Sequence, residues 1–265
     1  MDRPLDLAPV EEVLLPHAPL ITVLAQVRWP EVTHLKLNID DVVTRVGERL
    51  ADDYPLYLRE KEFQLAITPR GPIQQESGTI YQFKSADQNW KVSLSQSFVT
   101  LDVKNYTSRK DFIGRFEQVL QAVDSAVKIP FVSRIGFRYV NRIEESDEYS
   151  QLTDHVQFAA LGGGAVPLAK GVELNHSLSE AIYKKGDVQL LARSAHLPPG
   201  ATTDPAISAA SNRSWILDLD AFQEGEIEFN TADLATKMSD LASIAYSFFR
   251  WAIDDDFLRM YGGDV

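Results

Sequence analysis

Three arginines, Arg134, Arg138 and Arg142, recur at every fourth residue of FVSRIGFRYVNRIE, residues 131–144. Read as a strand, the segment puts all three on one face, with neighbouring guanidiniums about 13 Å apart at roughly 3.3 Å per residue. That spacing is too wide for one small anion to be gripped by all three. It suits a groove that receives an anionic small molecule or a nucleic-acid end, or that faces a partner. The competing reading pairs each arginine with carboxylates on adjacent strands. Asp102 is one candidate, and Asp218 and Asp220, which alternate on one face of WILDLD, are two more. If a second layer covers this face, the guanidiniums must be paired to be tolerated there. A second constellation sets Asp254, Asp255 and Asp256 between Trp251 and Phe257. Three acids near the end of a last helix oppose its dipole. Either the helix frays there or the acids meet a basic partner, which makes Trp251, Asp254, Asp255, Asp256 and Phe257 a candidate docking surface. The aromatics equally suit a core.

Other chemistry finds little support. His17, His34, His155, His176 and His196 form no HxH, HxxxH or HExxH pattern, so no local metal motif is present. A hydrolase built on Asp218, Asp220 and a histidine is a third, weaker reading. Gly162-Gly163-Gly164 lacks the lysine and hydroxyl pair of a phosphate-binding loop and reads as a flexible turn. No GxSxG is found. With no cysteine, the chain has no disulfide, zinc-thiolate site, iron–sulfur cluster or cysteine nucleophile. The expectation is a chain without cofactor or metal, and the reading leans away from an enzyme.

Composition sets the remaining bounds. Twenty-six basic residues stand against 38 acidic ones, a net charge of −12. That argues against extended contact with nucleic-acid backbone, which needs a positive face, and fits either a solubilising surface or a basic protein partner. No apolar run reaches the roughly 18–20 residues of a membrane span. The opening MDRPLDLAPVEEVLLPHAPL lacks the pattern of a signal peptide. The expectation is a cytoplasmic protein with no membrane contact.

The elements that must position these residues follow from periodicity. Residues 1–18, with Pro4, Pro9 and Pro16, read as an irregular arm. Residues 19–265 read as a single α+β domain, open to division into two similar sheet-plus-helix lobes meeting near 128–150. Leu20–Trp29 is a strand. Residues 39–52 are a helix capped by Asn38 or Asp40, with Val42, Val43, Val46 and Leu50 on one face. Glu62–Thr68 and Thr79–Ser85 are strands around the turn-rich PRGPIQQESG. Asn89–Lys104 is a strand whose apolar phase changes, as a bulge near Gln96–Phe98 would cause. Ser108 and Asp111 open a helix with the stripe Phe112, Phe116, Val119, Leu120, Val123 and Val127. His155–Leu161 is a short strand. Leu174–Tyr183 and Asp187–His196 form a hairpin turned by Gly186. The Pro/Ala/Ser/Thr-rich 197–212 is a long mobile loop, Arg213–Phe222 a strand, and Asn230–Tyr261 one long helix. Antiparallel strands in runs, without βαβα alternation, give an α+β fold with three main helices.

PLITVLAQVRWP, SFVTLDVKNYTSRKDF, RIGFRYVNRI and WILDLDAF occur in that order across residues 19–260. In order and spacing they resemble a sporadically distributed bacterial family of about this length and without assigned function. Its segments are a PL-led strand, a strand-Tyr-helix unit, an RYxNRI strand and an LDxD strand before a C-terminal helix. The patchy distribution of the family that the chain resembles implies mobile gene neighbourhoods, where phage-defence and toxin–antitoxin systems concentrate. It supplies no catalytic residue. The function expected is a non-enzymatic interaction or specificity subunit of a larger bacterial complex. The alternative is a binding module for an anionic ligand or nucleic-acid end at the arginine face.

Overall fold

The computed structural model describes residues 4–68, 71–144 and 146–265, with 62–68 and 71–77 as backbone alone. The first half runs β1 (Leu20–Arg28), α1 (Thr33–Leu50), β2 (Leu56–Thr68), β3 (Gly71–Lys84), β4 (Trp90–Leu94), β5 (Phe98–Val103) and α2 (Arg109–Ala126). The second runs β6 (Phe131–Glu144), three short helices α3 (Asp147–Ser150), α4 (Leu152–His155) and α5 (Phe158–Leu161), then β7 (Ser177–Lys185), β8 (Val188–Leu197), β9 (Ser214–Glu228), α6 (Thr231–Ala252) and α7 (Asp255–Met260). The strands form one sheet in the order β2-β3-β4-β5-β1-β6-β9-β8-β7, and every pairing is antiparallel. The fold is α+β.

Both halves are wound alike. Each places its first strand at the centre of the sheet, and its later strands meander from the outer edge back to it: β2 through β5 return to β1, and β7 through β9 return to β6. A long helix closes each half. Because β1 and β6 pair antiparallel, the strand order reads alike outward from either of them, with one strand more in the first half. The seam is therefore two hydrogen-bonded central strands.

The core lies on one side of this sheet, under the helices. On β6, Ile135, Phe137, Tyr139 and Ile143 face it, as strand alternation requires. Phe112 of α2 meets Phe137 edge-on at 5.3 Å and Trp90 at 5.6 Å. The α2 stripe of Phe112, Phe116, Val119, Leu120 and Val123 is buried as its period demands, and Ser108 caps the helix by accepting from Asp111 N. Asn230 does the same for α6, its Oδ1 accepting from Ala232 N and Asp233 N at 3.1 Å each. Asn230→Ala should lower unfolding free energy by about 1 kcal/mol, and Asn230→Gly by only a few tenths. Urea denaturation of the two variants checks this.

Several elements depart from the sequence reading. The 89–104 segment is two strands, because Ser95–Ser97 reverses the chain and β4 and β5 pair with each other. A change of apolar parity looks the same in sequence whether a bulge or a tight turn causes it. The turn-rich 71–78 continues β3, and Pro69-Arg70 of the same stretch lies outside the described residues. α1 begins at Thr33, and Asn38, at φ −135°, kinks it where a cap was expected. Residues 155–161 are short helices joined to Ile253 by one bridge at Val156. The last helix is two, because Ile253 turns extended and Asp254 caps α7 by accepting from Phe257 N. The 4–19 arm carries no helix or strand. It is nonetheless pinned to the body. Tyr246 Oη accepts from Val13 N, Tyr106 Oη donates to Glu12, and Lys185 Nζ donates to the carbonyls of Asp6 and Leu7.

Candidate functional site

The arginine row lies on the helix-free face. Register fixes its neighbours: Arg138 stands opposite Asp220, Val140 opposite Asp218, and Arg193 of β8 opposite Asp218. Arg134, opposite Glu224, and Arg138 each reach past their direct neighbour. Arg138 donates to both oxygens of Asp218, Nε to Oδ1 and Nη2 to Oδ2, at 2.7 Å each, the bidentate fork that suits a guanidinium best. Its Nη1 lies 2.8 Å from Asp204 Oδ2. Arg134 lies over Gly136, where a Cβ would stand 2.6 Å from its Nη1. Nη2 thereby reaches Asp220 at 2.8 Å while the guanidinium stacks on Phe222, 4.7 Å from the ring centroid. Arg142 donates to the Ser208 carbonyl at 2.8 Å and pairs with Glu144 at 3.1 Å. Arg193 joins Glu180 at 2.6 Å to Asp218 at 3.6 Å. Asp218 and Asp220 are thus the partners that sequence proposed, whereas Asp102 pairs with Lys91 instead.

Burial and charge set the electrostatics. The Asp218 side chain is 2% exposed. Burial pushes the Asp220 carboxyl above the ordinary range, against the pull of Arg134 and Arg138. For Arg138 burial works downward, but Asp218 and Asp204 outweigh it and hold the guanidinium above its usual value. Burial also works upward on Asp204, and the Ala206 N–H and Arg138 together hold it below. Four guanidiniums (Arg134, Arg138, Arg142, Arg193) meet five carboxylates (Glu144, Glu180, Asp204, Asp218, Asp220). The lattice has no positive surplus.

What covers part of this face is the 198–213 loop, expected to be mobile. Ile207 packs with Val140, Ala195, Leu197 and Ile216 in a second small core, and Asp204 and Ser208 anchor the loop to Arg138 and Arg142. Lowered in the folded state, Asp204 contributes an anchoring that is complete above its ordinary value of 3.8 and lost as pH falls through its lower folded value. Amide protection factors over 201–210 should therefore begin to fall below about pH 3.8 and bottom out only once Asp204 is protonated in the folded state. Asp204→Asn should loosen the loop by about 1–2 kcal/mol already at pH 7.

The second predicted cluster does not converge. Phe257 is 1% exposed and belongs to the core, so it is no docking side chain. Asp254 caps α7 and holds His155 Nδ1 at 3.1 Å. Asp255 pairs with Arg250, Asp256 pairs with Arg259, and Trp251 packs on Phe248 at 5.1 Å. The acids sit at a helix start, where the dipole favours them. The Gly162–Gly164 turn is packed, with Gly164 directly over the His196 imidazole. Among the described residues no three metal-ligating side chains cluster.

The structure also exposes a feature the sequence reading passed over. Among the described residues, β7 closes the sheet and pairs as a strand only with β8. Leu178, Glu180, Ile182 and Lys184 share the helix-free face, and Leu178 and Ile182 are 57% and 58% exposed. The stretch leading into β7 exposes Phe158, Val166, Leu168 and Val172 as well. No helix in the described residues is long and apolar enough to cross a membrane. No protein-family model, curated protein or solved structure matches the chain.

Proposed function

We propose that the chain is a non-enzymatic interaction subunit of a larger bacterial complex, and that the edge strand β7 is where another protein chain docks. The observation that carries this is Leu178 and Ile182, both more than half exposed on an unpaired sheet edge. An edge strand offers a ready row of backbone donors and acceptors, and a partner strand would satisfy them while covering both side chains. The exposed apolar residues just before β7 would widen the same patch. The bacterial setting, and with it a role in phage defence or a toxin–antitoxin pair, rests on the family resemblance. The alternative, an anionic ligand or nucleic-acid end at Arg134, Arg138 and Arg142, would first have to displace Asp218 and Asp220. A photoreactive residue at Leu178, expressed in the native host, should give one discrete protein adduct, and the same residue at exposed Gln118 on α2 none. Equal, diffuse labelling from both positions would overturn the proposal.

A further inference from the structure

We infer that the occupant of the β7 edge is the β7 strand of a second copy of this chain, added antiparallel about a twofold axis through Ile182. The inference rests on the edge reading above and names its partner. Charge complementarity decides the register. Centred on Glu180, self-pairing sets two carboxylates face to face. Centred on Ala181 or Tyr183, it sets Ile182 opposite a charged Glu180 or Lys184. Centred on Ile182, it sets Ile182 opposite its own copy and Glu180 opposite Lys184 on both sides of the axis. Ala181 then faces Tyr183, and Ser179 faces Lys185.

The strand is prepared for that register. Charged residues on an edge usually block pairing, but here each lysine meets a glutamate, and opposite charges across strands stabilise the pair. Glu180 is already oriented by Arg193, which takes Oε2 and leaves Oε1 for the incoming Lys184. Leu178 falls one residue past the partner's last strand residue, beside the β7–β8 turn at Gly186, where the missing side chain adds no bulk. The contact is isologous and closes on itself, so it stops at two copies, whereas head-to-tail pairing of β7 with β2 would run on as a fibre.

The absence of native cysteine makes the test direct. Residues opposed across an antiparallel pair have Cα atoms about 4.5–5.5 Å apart, inside the range of about 4.4–6.8 Å that a disulfide spans. Ile182→Cys should therefore couple to its own copy under mild oxidation. Leu178→Cys should not, because the two copies of residue 178 would lie about 27 Å apart along the strands. Sedimentation of the native chain at micromolar concentration should show a dimer, and Lys184→Glu should weaken it about tenfold by setting glutamates opposite each other. A native monomer with no Ile182→Cys coupling overturns the inference. If the Leu178 photoadduct then holds a different protein, the interaction reading stands without it. If there is no adduct either, both fall.

Discussion

Arg138→Leu should cost about 3–5 kcal/mol of unfolding free energy, because it strands a carboxylate that the fold has taken out of water. Asp218 is 2% exposed, and among the described residues its only other cation, Arg193, stands 3.6 Å away. Removing Arg138 also releases Asp204, and with it one anchor of the 198–213 loop. Arg138→Leu combined with Asp218→Leu should recover most of the loss, since a well-packed apolar pair is often as stable as a buried ion pair. Urea unfolding of the two singles and the double gives the coupling directly. A loss below about 1 kcal/mol in the single variant would mean that Asp218 finds water when its partner goes, as exposed pairs do. The same geometry makes Arg138 a poor probe of ligand binding: a charge reversal there reports on folding first.

Gly164→Ala should be the most damaging change of one methyl group. Its Cβ would stand 2.0 Å from His196 Nε2 and 2.4 Å from Cε1. The ring cannot swing away freely, because His196 is 5% exposed and its Nδ1 shares a hydrogen bond with Tyr149 Oη at 3.2 Å. Overpacking of this kind costs about 3 kcal/mol, and thermal unfolding should fall accordingly. Combining Gly164→Ala with His196→Ala should relieve the clash, so that the double variant is more stable than Gly164→Ala alone. If the single variant unfolds like the native protein, the 3₁₀ turn at 162–165 is free to lift off β7 and β8.

β1, β6, β9, α2 and the polarity of β6 were legible because alternation and helical period are local, whereas the β4–β5 turn and the helical 155–161 were not. Phe137 and Arg138 sit on opposite faces for no other reason than their adjacency. Asp218 and Asp220 were legible as partners because WILDLD shares the alternation of its neighbour. Glu180 and Arg193 were not: a hairpin turning around Lys184-Lys185-Gly186 sets another register, and only the observed turn at Gly186-Asp187 places them opposite each other. Asp204 was not, because an irregular loop has no period, and its packing depends on Ile207 finding a gap beside Val140. The break at Ile253 was hidden as well. WAIDDDFLRM continues the apolar period of α6, and only the Asp254 cap and the pairing of Val156 with Ile253 stop the helix. The openness of β7 is a property of strand order, which no local pattern encodes.

Hydrogen exchange along β7 tests the interface most directly. The protein is taken from its host under native conditions and compared with Ile182→Lys, which sets a charge at the centre of the edge. The expected result is slow exchange of the outward-facing amides between Ser177 and Lys185 in the native protein and fast exchange in the variant, with β8 and β9 unchanged. Identical, fast exchange of those amides in both proteins would show that nothing pairs with this edge, and the interaction reading would fall.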